Sequence, residues 1–197
     1  MTEVQTNTET PSSHHLFYPP GGLLLWALVL MELLTFSVAL IAFFVSSHGE
    51  PDAFHASRMQ LVPLYGLINT VFLLTSGYFM ALSVQHFKQE NYPIARRYVS
   101  FAMLGGLLFL VLKGVEYQQK ISQGLTLGYD TFFTYYWLLT VFHLMHVLVG
   151  MIILLCLFFK LKSPAKLKLE DYEAGATFWH MCDLIWLILF PALYLIV

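Results

Sequence analysis

Five apolar stretches, at about 22–45, 61–86, 98–117, 132–159 and 174–197, leave this chain little choice of architecture. Each is long enough to cross a hydrocarbon layer of about 30 Å, which takes roughly 20 residues at 1.5 Å of helical rise. Inside lipid a backbone must satisfy its own hydrogen bonds, so each stretch has to be a helix. The connections HGEPD, KQENYPIARR, SQGLTLGYD and KLKSPAKLKLED are short and rich in turn formers. Composition agrees: 11% of residues are charged, against about 25% in a soluble domain. The expected fold is an all-α membrane protein, one bundle of five transmembrane helices over residues 21–197. Residues 1–20 contain neither Lys nor Arg and no apolar core. They read as a disordered polar tail rather than a secretory signal, with His14 and His15 solvated.

Charge placement orients the bundle. Lys88, Arg96 and Arg97 follow span two, and Lys160, Lys162, Lys166 and Lys168 follow span four, whereas the other side offers Arg58, Lys120 and, near a helix end, Lys113. By the positive-inside rule the N-terminus is cytoplasmic and the C-terminus outside. The Lys160–Lys168 connection should also draw anionic head groups, at roughly 1 kcal/mol per charge. A net charge of -2 argues against nucleic-acid binding. Cys156 and Cys182 form no paired motif and read as small core residues. Trp26, Tyr92, Tyr98 and Tyr194 suit an interfacial belt. The small residues Gly66, Thr70, Ser76, Gly77, Gly105 and Gly106 could admit either a partner helix or a neighbour within the bundle.

Ionisable residues inside the spans carry the chemistry, because a charge in lipid is costly unless paired. Counted along each helix, Glu32 (span one), His143 (span four) and Asp183 (span five) fall near the midplane, with His146 level with His180. His143 and His146 are separated by three residues, as are His180 and Asp183, so each pair shares a helix face. The simplest packing sets these two faces together across spans four and five, Asp183 holding a histidine by a charge-assisted hydrogen bond. Glu32 joins from span one or faces a cleft. Lys113 and Glu116, also three apart, should pair or snorkel at the outer end of span three. A metal or haem held by these histidines is the rival reading, but Glu-x-x-His and His-Glu-x-x-His are absent from the sequence. No nucleophile–base motif and no pair of Gly/Pro-broken helices supports a hydrolase or a transporter.

The strings WALVLMELLTF, LINTVFLLTSGYFMA, KGVEY, TYYWLLTVFHLMHVLVG and FWHMCDLIWLILFPALYL resemble those of subunit III of the haem-copper oxidases, in the short five-helix bacterial form. The resemblance runs from Gly21 to Val197. His-x-x-His-Val-x-x-Gly and Trp-His-x-x-Asp-x-x-Trp are its most specific parts. It implies a non-catalytic subunit of the bacterial cytoplasmic membrane that binds no redox metal, the haem and copper residing in the partner. Such a subunit packs against the catalytic subunit, holds phospholipid in a cleft between its first two helices and the rest, and supports sustained proton uptake. The family's polar positions map onto Glu32, Glu116, His143, His146, Trp179, His180 and Asp183. Oxidase members usually have glycine where this chain has Leu144. The strings KGVEYQQKISQGLTLGYDTFFTYYWLLT and FWHMCDLIWLILFP are also similar to the branch accompanying nitric oxide reductases, the alternative partner.

Overall fold

The computed structural model describes residues 22–163 and 167–196; the expected tail 1–20, its two histidines, and Lys166 lie outside the described residues. Five long helices form in chain order: α1 (Leu23–Gly49), α3 (Pro63–Lys88), α4 (Tyr92–Ser122), α5 (Thr131–Lys160) and α6 (Leu169–Pro191), with the short α2 (Pro51–Arg58) between the first two. No strand occurs among the described residues. All five long helices are apolar enough to span a membrane.

Helix limits follow local chemistry. Proline, which lacks the N–H that a first turn leaves unbonded, opens α2, α3 and α4. Asp130 caps α5 by accepting from Phe133 N–H at 2.6 Å. Gly124, at φ 78°, closes α4 in the left-handed conformation, with Leu125 N–H bonded to Lys120 C=O and Gly124 N–H to Ile121 C=O. The same closure ends α3, but there Glu90 takes the left-handed position at φ 58°. At Pro191, which has no N–H to give, α6 yields to a π-helical turn over Ala192–Ile196.

The helices outrun the apolar stretches. Span three extends to Tyr92–Ser122, its polar ends continuing the helix beyond the apolar stretch. Between spans one and two, where a plain turn was expected, α2 tucks Phe54 beneath Phe43 and Phe132. Ser57 Oγ then donates to Asp130 Oδ2 at 2.5 Å, fastening α2 to the start of α5.

The centre belongs to α6, of whose apolar window 56% is buried, against 22–39% for the other long helices. It packs on α1, α3 and α5, while α3 and α4 form the tightest hairpin and α4 leans on α5. The first two spans do not make a separate pair: α1 packs on α5 and α6, α3 on α4 and α6. In place of one cleft, separate grooves lie where α1 meets α5 and α6 and where α3 meets α6. One end of the bundle gathers the basic connections, where Lys88 Nζ meets Glu173 Oε1 at 2.7 Å and Arg96 lies 4.2 Å over the Phe158 ring. At the other end Lys120 donates to Gln60 C=O and Arg58 to Leu195 C=O.

Small residues serve this internal packing. A Cβ on Gly66 would stand 2.5 Å from the Phe190 ring, and one on Gly105 would stand 2.8 Å from Ser76 Cβ. Thr70 Oγ1 accepts from Trp186 Nε1 at 3.0 Å. Two expectations fail here. Tyr194 is fully buried rather than interfacial, because the turn after Pro191 carries it back against α4 and α5. Cys182 is in the core, but Cys156 is exposed on the outer side of α5.

Candidate functional site

The polar residues of the spans form three separate groups rather than one lock between α5 and α6. The first joins α1 to α5. Glu32 Oε2 lies 3.1 Å from His146 Nε2, both side chains largely covered. His146 Nδ1 is 2.8 Å from Phe142 C=O, which can only accept, so Nδ1 carries a hydrogen. The pair faces a groove of about 230 Å³ lined by Leu28, Met145, Val149 and Phe178, through which Glu32 keeps 22% of its side chain exposed.

The second group is closed. Lys113 and Glu116 are completely buried, bridged at 2.9 Å between Nζ and Oε2. Lys113 also donates to Tyr194 Oη at 2.8 Å and Tyr136 Oη at 3.3 Å. Both tyrosines donate to Glu116 Oε1, at 2.5 and 3.0 Å. The three N–H groups of the ammonium thus meet three acceptors, and both carboxylate oxygens are filled. Rings of Tyr117, Tyr136, Trp186 and Tyr194 surround Nζ at 5.0–5.4 Å. The pairing expected from the spacing forms. Snorkelling does not, since α5 and α6 seal the site.

The third group lies between α6 and α3. His180 Nδ1 stands 3.6 Å from Asp183 Oδ2 within their own helix. Oδ2 presses on Gly77, where an added Cβ would collide with it, and Oδ1 has no partner among the described groups. Neither residue reaches His143 or His146, so the expected hydrogen bond across α5 and α6 is absent. The cause is Trp186. Its indole occupies the contact with α5 and stacks on His143 at 5.4 Å, which turns the His180 and Asp183 face toward α3. His143 is sealed among Trp186, Phe109 and Phe36. His143 and His180, considered together as haem ligands, lie on different sides of α6.

Trp179 packs three helices. Its Nε1 donates to Ser76 Oγ at 3.0 Å, and Ser76 donates on to Ala102 C=O at 2.6 Å. The indole fills a slot between Gly106 and Gly150, where a Cβ would approach it to 2.7 and 2.8 Å. Leu144, six residues before Gly150, stays half-buried at the edge of the core, so the close approach occurs at Gly150 instead. Sequence reasoning missed Tyr136, Tyr194 and Trp186 as members of these groups. The only hint was that aromatic residues with polar tips recur in line with the buried charges.

Among the described residues no three His, Cys, Asp or Glu side chains converge closely enough to share an ion. The arrangement can hold protons and fasten helices. The profile of the family Cytochrome c oxidase subunit III matches residues 20–196. Cytochrome c oxidase subunit 3 of Rhipicephalus sanguineus is 30% identical over 155 residues, 76% of this chain and 57% of the relative. That of Drosophila yakuba is 30% identical over 174 residues, 84% of this chain and 65% of the relative. A probable quinol oxidase subunit 3 of Staphylococcus aureus is 24% identical over 87% of this chain and 86% of the relative. The chain thus spans between half and two thirds of the animal relatives and most of the bacterial one. On this profile match and these identities, the chain belongs to the cytochrome c oxidase subunit III family.

Proposed function

We propose that this multi-pass membrane protein is a non-catalytic subunit of a haem-copper respiratory oxidase. In this reading it stabilises the catalytic subunit in a bacterial cytoplasmic membrane, with its N-terminus inside, and supports proton uptake during aerobic electron transport. Haem and copper belong to the partner. The observation that carries the reading is the family match across residues 20–196. The site chemistry supports it: Glu32, His146, Lys113 and Glu116 are engaged with one another. The near end-to-end similarity to a Staphylococcus aureus protein supports the short bacterial form. Phospholipid is proposed to lie in the apolar grooves, one of which, about 530 Å³, is lined by Trp137, Val141, Phe142 and Met145. The relatives named above are oxidase subunits, so a nitric oxide reductase partner is not favoured.

Affinity capture of the tagged chain from native membranes, with haem spectra of the captured material, tests this. The expected result is co-purification with a haem-bearing oxidase subunit. Capture of the chain alone with stoichiometric iron, copper or zinc overturns it, and capture with a nitric oxide reductase replaces the partner.

A further inference from the structure

We infer that the α3–α6 face around His180 seats a transmembrane helix of another subunit, one bearing a hydrogen-bonding side chain at the depth of the imidazole. This rests on the reading of the chain as an oxidase subunit. Of the other acids and bases deep in the spans, Glu32 lies 3.1 Å from His146, Lys113 is bridged to Glu116, and His143 is enclosed by aromatic rings. His180 instead faces outward. Its side chain is 44% exposed on the outer surface of α6, and Asp183, its nearest partner at 3.6 Å, stands beyond good hydrogen-bond reach. Asp183 is itself only 8% exposed and leaves Oδ1 unpartnered. Leaving such groups against lipid is costly, and they characteristically face protein or a polar cavity.

The groove beside His180 fits a helix. It holds about 270 Å³ and is lined by Ala81, Val84, Glu173, Ala176, Thr177 and His180, mostly small side chains that let a second backbone come close. The Lys88–Glu173 ion pair gives it a polar rim at the basic end of the bundle. Head groups meet that rim, but His180 lies about 10 Å further along α6, counted from Glu173 at 1.5 Å per residue. Acyl chains offer no hydrogen bond at that depth, whereas a side chain on a neighbouring helix does. The larger groove on α5, walled by Leu127, Leu138 and Val141, has no comparable polar group and suits acyl chains.

The test places a photo-crosslinking amino acid at Val84 or Thr177, with Val141 on α5 as the comparison site, in the full chain within native membranes. Light should join Val84 and Thr177 to a membrane-embedded peptide of a second polypeptide, identified by mass spectrometry, and Val141 mainly to lipid. His180→Phe should lower recovery of the captured complex about tenfold, the worth of roughly 1.4 kcal/mol of lost contact, while His180→Gln should keep most of it. If the oxidase co-purifies but Val84 and Thr177 crosslink only to lipid, the inference fails and the proposed function stands. If His180→Phe leaves recovery unchanged, the imidazole does not anchor the contact. If the unaltered chain captures no other membrane polypeptide, both readings fall.

Discussion

Within a dry bundle a carboxylate cannot spread its charge into solvent, and Glu116 meets that constraint with one ammonium and two phenol hydroxyls. The assembly is fragile to removal of one member. Lys113→Met should strand a buried carboxylate and destabilise the protein by about 3–5 kcal/mol. Lys113→Met together with Glu116→Leu should recover most of that, because neither charge then remains. Thermal unfolding in detergent separates the cases; equal loss in both variants would mean that the ring cage around Nζ, not the charge balance, matters. Exposure discriminates the two acids. A hydrophobic carbodiimide should modify Glu32, which opens to the groove on α1 and α5, and leave Glu116 untouched, as peptide mapping would record. The Lys113–Glu116 pair was legible from its spacing. Tyr194 was not, because a tyrosine near a helix end suits an interface equally well, and only the turn after Pro191 returns it to the core.

At the scale of elements, the hairpin between α3 and α4 shows where local chemistry and fold disagree. The left-handed position after α3 is held by Glu90, although a side chain there crowds the following carbonyl. Glu90→Gly should therefore raise stability by about 1 kcal/mol, seen as a higher unfolding midpoint. An unchanged or lower midpoint would show that the Glu90 side chain makes a compensating contact. Helix existence was readable because lipid-length apolar runs admit one conformation. Helix ends were less so: α4 continues through Arg96 and Gln119 at its polar extremities, where no hydrophobic signal marks them. The helix α2 escaped notice because eight residues with a single large anchor, Phe54, look like a turn until Phe43 and Phe132 are seen around it.

For the whole molecule, what the sequence concealed is adjacency. Leu, Val and Ile line both faces of each helix, so Leu30 and Leu40 of α1 look alike although one is exposed and the other buried. Lipid removes the polar-out, apolar-in contrast that reveals a helix's inner face in water. The two His-bearing pairs were therefore set against each other on depth and shared helix faces, whereas Trp186 and Gly77 decide the actual neighbours. Orientation, by contrast, depends on a tally of charges that the fold gathers cleanly. Lys88, Arg96, Arg97, Lys160, Lys162 and Lys168 lie in the two connections at one end or in the helix turns that flank them, while Arg58 and Lys120 hold the other. With the basic end cytoplasmic, a cysteine at Ser163 should react with a membrane-impermeant maleimide only after cell lysis. A cysteine at Thr126, in the α4–α5 connection, should react in intact cells once the outer layers are permeable to the reagent. Both belong in a chain whose Cys156 and Cys182 are alanine, so that no native thiol contributes. The reverse labelling pattern would invert the bundle, and would turn the Lys88–Glu173 rim beside the proposed helix seat away from the cytoplasm.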